Sequence, residues 1–330
     1  MVQIFPLNDS FNFNSIFHTT FYFDFYTLNT GLSLIKLEKD INNLGSYLAG
    51  LIEGDGSIYT PNSKYSKLNT QTSSNTPSIE IVFSKNDVIL ANYIINLLGG
   101  GYLVESSNYS RLFIKKRIAL LRLINLINGE MRTPKIKALH RQILWCNTNW
   151  NLSIPLLSIC IVPLAENAWL SGMMDADGSF YLNWLYTKKG VPTSLQYYVR
   201  LTQKSSYLIR TGPFAGSISN SIHMHSIANL LDSSLISYER KRQLYIEKGY
   251  LVRTAKISSN YIMSSYFLKY PLFSYKYVCL PVFIELYDIQ VNKKYKNLET
   301  LDKLNELKLE IKNHSNSSHE NHIIKFFYLT

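Results

Sequence analysis

Two stretches of this sequence nearly repeat each other: YLAGLIEGDGSIY at residues 47–59 and WLSGMMDADGSFY at residues 169–181. Each is typical of a helix with small side chains that ends at an aspartate followed by glycine, Asp55-Gly56 and Asp177-Gly178. Glycine readily takes the left-handed conformation that terminates helices. We therefore expect the same helix twice in the fold, with an aspartate at the C-terminus of each copy.

Small residues recur at intervals of four on both motif helices, as Gly50 and Gly54 in the first copy and Gly172 and Ala176 in the second. Residues four apart share one face of a helix. A face without large side chains lets another backbone approach closely. The spacing predicts that the two motif helices pack against each other along these faces.

A carboxylate at a helix C-terminus is unfavourable, because the helix dipole costs ~0.3–1 kcal/mol there. Two such ends side by side also repel each other. An unfavourable aspartate that recurs at the same place in both motifs indicates a functional role. Divalent cations would supply the missing positive charge, and carboxylates and helix-end carbonyls are ligands that suit Mg²⁺. A simple helix cap is the alternative for one copy alone. An EF-hand calcium loop starting at Asp175 is excluded, since its sixth position holds Phe180 instead of glycine.

From about residue 44 each half repeats one order of signals: motif helix, strand pair, amphipathic helix, second strand pair and further helix. Apolar and polar residues alternate along the strands, which predicts sheets with one buried face and one polar, aromatic face. The pattern favours an α+β fold made by internal duplication. We divide the chain into a poorly ordered arm (1–40), a first half (41–150), a linker (151–166), a second half (167–290) and a C-terminal charged helix with a disordered tail (291–330).

The composition favours a polyanionic partner. The net charge of the 330 residues is +11, and residues 1–40 hold four acidic side chains against two basic ones, so the positive excess lies in the rest. Such a body suits nucleic acid; improved solubility is the alternative. The three cysteines form no CxxC pair and indicate no zinc site. No apolar run reaches the ~18 residues needed to cross a bilayer, and no signal peptide is visible, so we expect a soluble intracellular protein.

The two motifs resemble the paired signature of LAGLIDADG homing endonucleases and maturases, of the single-chain, two-motif kind encoded in organellar group I introns. The similarity covers about residues 44–290. Residues 127–147 (INGEMRTPKIKALHRQILWCN) and 269–283 (KYPLFSYKYVCLPVF) resemble the segments that present a basic residue to each active centre. FSKND and LTQKS, at 83–87 and 201–205, are similar to the strand ends that hold a further polar site residue.

The resemblance implies a pseudo-two-fold αββαββα fold with two saddle-forming antiparallel sheets over double-stranded DNA and the motif helices at its centre. It also implies Mg²⁺-dependent hydrolysis of one phosphodiester on each strand. Asp55 and Asp177 match the metal-binding carboxylates, with the carbonyls of Gly54 and Ala176 as further ligands. The remaining matched catalytic positions are Lys135, Lys276, Lys85 and Gln203. Ordinary solvated surface residues are the alternative for these four.

The polar strand faces are expected to contact DNA. Arginine prefers guanine edges and glutamate accepts from cytosine, and contacts to phosphates make affinity salt-dependent. The residues expected to face bases are Ser78, Glu80, Gln196, Tyr198 and Arg200. The residues expected to contact phosphates are Lys64, Lys67, Arg111, Lys115, Lys116, Arg240, Lys241 and Arg242. For any one of them, a merely solvated side chain is the alternative. The halves differ at equivalent positions, which predicts an asymmetric target.

Two other functions remain open at this stage. A maturase would bind its group I intron RNA and assist splicing, with or without DNA cleavage. A catalytically silent DNA-binding regulator would use the same scaffold. By resemblance we expect a monomer with internal pseudo-symmetry in the mitochondrion, and a composition rich in Asn, Ile, Lys, Tyr and Phe suits an AT-rich genome. Residues 1–40 would then be a translated intron leader or arm.

Overall fold

The computed structural model describes residues 32–61, 76–209, 216–296, 299–310 and 316–327. Internal contacts divide the chain between residues 38 and 39, and both motifs lie in the unit of residues 39–330, to which the following description refers. Most of the predicted arm (1–40), together with Lys64 and Lys67, lies outside the described residues. In the described part, no helix is both long and apolar enough to cross a bilayer.

The first half forms one antiparallel sheet covered by helices. Its strands lie in the order β1-β2-β4-β3. Its elements are α1 (Leu32–Asp55), β1 (Gly56–Tyr59), β2 (Ser78–Ser84), α2 (Val88–Leu98), β3 (Tyr102–Glu105), β4 (Tyr109–Ile114), α3 (Arg117–Ile127) and α4 (Ile136–Trp150).

The second half repeats this plan with the strand order β5-β6-β10-β9. It adds a two-stranded sheet, β7 with β8, which follows β6 and precedes α6 in the chain. Its elements are α5 (Trp169–Asp177), β5 (Gly178–Tyr186), β6 (Pro192–Lys204), β7 (Ser206–Ile209), β8 (Gly216–Ser219), α6 (Ser221–Leu230), β9 (Leu235–Lys241), β10 (Ile246–Arg253), α7 (Ile257–Lys269) and α8 (Cys279–Val291), followed by α9 (Glu299–Glu310) and α10 (Asn316–Phe327). The duplicated α+β fold is confirmed.

Strand alternation places the core as the sequence predicts, with one exception. In β2 the side chains of Ile79, Ile81 and Phe83 are buried, while Glu80 is partly exposed. Ser78, expected to face bases, is only 7% exposed. Its carbonyl accepts a hydrogen bond from the buried Gln142 side chain of α4, which covers the start of the strand. The prediction that Ser78 is open to a partner is therefore wrong.

The two motif helices pack backbone to backbone. A Cβ built at Gly50 would overlap the carbonyl oxygen of Trp169, and one at Gly172 would overlap that of Tyr47. A Cβ at Gly54 would collide with the Cβ of Ala176. The small residues thus bring the C-terminal ends of α1 and α5 together.

The glycines that follow the aspartates serve a different purpose from the one predicted. Gly178 has extended dihedrals, φ −73° and ψ 151°, and begins β5 directly. Gly56 likewise begins β1 and is not among the glycines with positive φ. A Cβ at Gly56 or Gly178 would crowd the preceding helical turn, at Ile52 and Met174. Glycine is therefore needed here for close approach, and the predicted left-handed cap is wrong.

The predicted termini also need correction. Residues 32–40 belong to α1, since apolar residues at helical spacing, Leu34, Leu37, Ile41 and Leu44, continue into the motif. The predicted disordered tail is wrong for residues 316–327, which form α10. This helix buries His319 and Ile323, and its His322 ring stacks on Tyr277 at 4.1 Å between centroids. Because this segment is mostly polar, its composition did not indicate that one face of the helix is buried.

Candidate functional site

Asp55 and Asp177 lie at the adjoining ends of α1 and α5. A Cβ built at Gly54 would stand 3.2 Å from Asp177 Oδ2. Burial raises the pKa of Asp55 to about 6, and repulsion from Asp177 adds to the rise. Burial also raises the pKa of Asp177. The two carboxylates are therefore close together and partly desolvated.

Each motif helix is capped by a lysine ammonium. Lys135 Nζ donates to the carbonyls of Ile52 (2.9 Å), Glu53 (2.8 Å) and Gly56 (2.8 Å). Its side chain is 8% exposed, and burial lowers its pKa to about 8. These bonds satisfy helix-end carbonyls that have no partner within the helix.

The second lysine repeats this arrangement. Lys276 Nζ donates to the carbonyls of Met174 (3.0 Å), Asp175 (2.7 Å) and Ala176 (3.2 Å). Both ammonium groups also place positive charge at the negative end of a helix dipole. The pair of aspartates is thus bracketed by a pair of lysines.

Each aspartate faces the lysine of the other half. Lys276 lowers the pKa of Asp55 more than Lys135 does, and Lys135 lowers that of Asp177 more than Lys276 does. A cleft of about 420 Å³ is lined by Lys135, Asp177 and Gln203, and a smaller one of about 150 Å³ by Lys276 and Phe83; Asp55 borders both. We name them the Asp177 centre (Asp177, Lys135, Gln203) and the Asp55 centre (Asp55, Lys276, Phe83).

The acidic residues two positions before the aspartates hold the lysine loops. Glu53 accepts hydrogen bonds from the backbone N–H of Arg132 (3.0 Å) and from the backbone and hydroxyl of Thr133. It also accepts one from the indole N–H of Trp169 in the other half (2.6 Å). Burial raises the pKa of Glu53, while these donors lower it. Glu53 thereby fixes the loop that carries Lys135.

Asp175 performs the same task in the second half. It accepts from the backbone N–H of Phe273 (2.7 Å) and Ser274 (3.0 Å), and from the hydroxyl of Tyr47 in the first half (2.7 Å). Asp87, at the start of α2, accepts from the N–H of Tyr275 (2.6 Å) in the same loop. The loop before Lys276 is therefore anchored by both halves.

This network was not predicted from the sequence. Neither Glu53 nor Asp175 was among the predicted site residues. The signal was present, because both motifs carry an acid at this position and both lysines follow a hydroxyl residue by two, Thr133 and Ser274. The crossed donors, Trp169 and Tyr47, left no sign in the local sequence.

Of the two strand-end residues expected at the site, Gln203 contacts an aspartate and Lys85 does not line the cleft. Gln203 donates from Nε2 to Asp177 Oδ2 at 2.5 Å. Lys85 is exposed in a short 3₁₀ turn, Lys85–Asp87, and does not line the cleft beside Asp55. Lys204 follows Gln203, borders the larger cleft and lowers the pKa of Asp177. Lys204 was not among the predicted site residues.

On the outer face of the second sheet the predicted base-facing residues are accessible. Gln196 and Arg200 are exposed, and Arg200 donates to the Ser179 hydroxyl. Tyr198 stacks on Tyr181 with 4.6 Å between ring centroids. These side chains form a polar and aromatic strip along β5 and β6.

Several of the predicted phosphate contacts are engaged within the protein. Arg111 pairs with Glu80 at 3.3 Å and Arg242 with Glu247 at 2.7 Å, and Lys116 donates to the carbonyl of Gly99. Other members of the set lie near aromatic rings, as Lys115 does over Tyr102 and Phe113 and Arg240 over Tyr238. Lys241 is exposed at the end of β9.

The helix tips offer hard oxygen ligands. Within the described ranges, no group of three or more His, Cys, Asp or Glu is arranged to hold a metal ion. A cation at this place would rely on Asp55, Asp177 and backbone carbonyls, of which those of Gly54 and Ala176 accept hydrogen bonds from Lys135 and Lys276. Two partly buried carboxylates with raised pKa values fit a divalent cation.

Known proteins share both the motifs and the fold. The LAGLIDADG endonuclease family profile matches residues 48–146 and 170–287. The chain is 33% identical over 265 residues to intron-encoded DNA endonuclease aI3 of Saccharomyces cerevisiae, which covers 74% of this chain and 63% of that protein. It is 27% identical over 157 residues to intron-encoded RNA maturase bI4 of the same yeast, over 47% of this chain and 22% of the maturase.

A solved structure supports the same assignment at the level of fold. The LAGLIDADG meganuclease I-AabMI bound to uncleaved DNA superposes with a TM-score of 0.56 at 17% identity, covering 80% of this chain and 97% of that one. Both halves of the family profile are matched, each around one motif helix. The chain therefore belongs to the LAGLIDADG endonuclease family.

Proposed function

We propose that this chain is a site-specific DNA endonuclease that makes a double-strand break in a long, asymmetric target and so promotes intron homing. The observation that carries the proposal is the meeting of Asp55 and Asp177 at two adjoining helix tips, each faced by a lysine of the other half. Two acids are needed because two strands are cut. The relative aI3 is named a DNA endonuclease.

In this proposal Asp55 and Asp177 bind Mg²⁺ together with backbone carbonyls. The bound cation would supply charge stabilisation to the attacking water and to the leaving 3′ oxygen. Lys135 and Lys276 offset negative charge on the phosphate and also hold the helix ends in place. Gln203 orients the Asp177 carboxylate through its hydrogen bond.

DNA would lie along the outer faces of the two sheets. The exposed strip with Gln196, Tyr198 and Arg200 supports base contacts in the second half, and Glu80 with Arg111 offers a charged pair in the first. The halves, residues 41–150 and 167–290, would each bind one half-site and be joined by residues 151–166. We further propose a monomer that acts in the mitochondrion.

The test uses the purified chain, Mg²⁺ and a duplex that spans the intron-less sequence flanking the open reading frame. We expect a double-strand break that a chelator abolishes. Asp55→Asn and Asp177→Asn should each remove the cut on one strand while DNA binding persists. Asp288→Asn is the matched control, since this exposed carboxylate pairs with Lys294 away from the site, and it should leave cleavage unchanged.

A maturase is the second candidate, because one relative is named an RNA maturase. Absence of any cut by the unmodified chain, together with restored splicing of the intron transcript, would replace the endonuclease proposal with this one. Sequence-specific DNA binding without cleavage under any divalent metal would instead indicate a silent regulator.

A further inference from the structure

The Asp177 and Asp55 centres are built from the same motif but are chemically unequal. In β1 and β2 the register pairs Gly56 with Ile81, and in β5 and β6 it pairs Gly178 with Leu201. Two residues further along the second strand of each pair stand Phe83 and Gln203. Phe83 therefore occupies in the first half the place that Gln203 occupies in the second, and the sequence-based match of Lys85 to Gln203 is wrong by two residues.

Gln203 and Phe83 differ in their capacity to form hydrogen bonds. Gln203 donates to Asp177 Oδ2 and keeps an amide oxygen that can accept a further hydrogen bond. Phe83 is 4% exposed, points into the core and offers neither donor nor acceptor. An amide hydrogen bond fixes the direction of a carboxylate, whereas a phenyl ring leaves it to its other neighbours.

The residues that follow, Lys204 in the second half and Ser84 in the first, make the two centres still more different. Lys204 follows Gln203 and brings positive charge to Asp177, while Ser84 follows Phe83 and donates its hydroxyl to Asp87. Lys204 borders the larger cleft, whereas among the described residues the smaller cleft beside Asp55 is lined by one basic side chain, Lys276. The Asp55 centre thus lacks both the amide and the additional cation that border Asp177.

We propose that the two DNA strands are cut in a fixed order, with the strand at the Asp177 centre first and the strand at the Asp55 centre as the slow step. This inference rests on the proposed endonuclease function. A hydrogen bond that orients a metal-binding carboxylate is typically worth about 10- to 100-fold in metal affinity or activity. A nicked duplex should therefore accumulate before the double-strand break.

The experiment follows each strand separately under single-turnover conditions. The full chain is mixed with Mg²⁺ and the flanking-sequence duplex, labelled with a different dye at each 5′ end. We expect one strand to be cut about 10- to 100-fold faster than the other. Asp177→Asn should abolish the fast cut, and Asp55→Asn the slow one.

Substitutions at Phe83 and Gln203 test whether these two side chains cause the difference in cleavage rate. Phe83→Gln should speed the slow cut, and Gln203→Leu should slow the fast cut, with the DNA affinity measured in Ca²⁺ unchanged in both variants. Ile79→Gln is the matched control, because it places the same amide on the buried face of β2 away from Asp55. It should lower stability without speeding the slow cut. If Phe83→Gln does not fold, Gln203→Leu alone decides.

The outcomes separate this inference from the function on which it rests. Absence of any cut by the unmodified chain overturns the proposed function, and this inference with it. Cleavage of both strands at equal rates, loss of the fast cut in Asp55→Asn, or an unchanged fast cut in Gln203→Leu overturns the inference and leaves the endonuclease intact.

Discussion

At the scale of single residues, Lys135 and Lys276 resolve a conflict within the motif. An aspartate at a helix C-terminus opposes the helix dipole, and here two of them meet. Each lysine donates to three or more carbonyls of one motif helix. The same ammonium therefore caps a helix, offsets a dipole and lowers the pKa of the aspartate from the other half.

A buried histidine gives the fold an acid-sensitive point. His223 of α6 packs edge to face against Trp169, 6.4 Å between ring centroids. Its Nε2 is buried, and no hydrogen-bond partner for it occurs among the described residues. Burial lowers its pKa from 6.5 to about 4. Protonation would place an uncompensated charge beside the crossed Trp169–Glu53 bond.

Against the opposite contribution of Asp55, whose pKa is raised to about 6, we predict that His223 lowers the unfolding free energy as pH drops from 6.5 towards 4. The folded pKa of this histidine lies below the unfolded one, so the unfolded chain binds more protons there in this window, at up to about 1.4 kcal/mol per pH unit. His223→Leu should remove this contribution and so shift the pH dependence of the unfolding free energy, measured by denaturant titration, towards greater stability at low pH. His225→Leu, on the exposed side of the same helix, should leave it unchanged. Equal slopes in both variants would contradict the assignment.

At the scale of elements, the sequence determined much but not the pairing between strands. The motif helices, their small-residue faces and the strand alternation follow from local periodicity. The register of β2 against β1 depends on hydrogen bonds between separate strands, so local similarity matched Lys85 with Gln203. For the same reason the bonds from Trp169 and Tyr47 to the opposite half were invisible.

Helix α10 shows that amino-acid composition can fail to predict a helix packed against the core. The stretch HSNSSHENH is polar enough to predict disorder, yet from Asn316 onward it forms the start of α10. His319 and His322 approach the carbonyls of Phe273 and Leu272 at 2.7 and 2.8 Å, next to the loop that carries Lys276. Histidines with apolar contacts and backbone partners can thus dock a helix that hydrophobicity alone does not predict.

The contact between α1 and α5 is predicted to be intolerant of a single methyl group. Gly→Ala in an open helix stabilises by about 1 kcal/mol. At Gly50 the added Cβ would overlap the carbonyl of Trp169, so Gly50→Ala should instead destabilise by about 1–3 kcal/mol. Thermal or denaturant unfolding measures the change.

Thr148→Ala provides the comparison for Gly50→Ala. Thr148 lies exposed in α4, where alanine brings a gain in helix propensity and no overlap. Its stability should be equal to that of the unmodified chain or slightly higher. A Gly50→Ala protein as stable as Thr148→Ala would show that the two motif helices are not in backbone contact.

At the scale of the whole molecule, the net charge of +11 must be weighed against its internal pairing. Arg111 and Arg242 are engaged with Glu80 and Glu247. The exposed pair Arg240 and Lys241, at the end of β9, is better placed to reach phosphates. The formal net charge therefore overstates the number of basic side chains that are available to contact DNA phosphates.

We predict that DNA affinity falls steeply with salt, because each neutralised phosphate releases a counterion. The double substitution Arg240→Ala with Lys241→Ala should reduce the slope of log K against log salt by about 2. Fluorescence anisotropy without Mg²⁺ measures it over a salt series. Lys294→Ala is the control, since this lysine pairs with Asp288 after the last strand of the second sheet, and its slope should match that of the unmodified chain. An unchanged slope in the double variant would remove the end of β9 from the DNA-binding face, because a contacted phosphate must contribute its counterion.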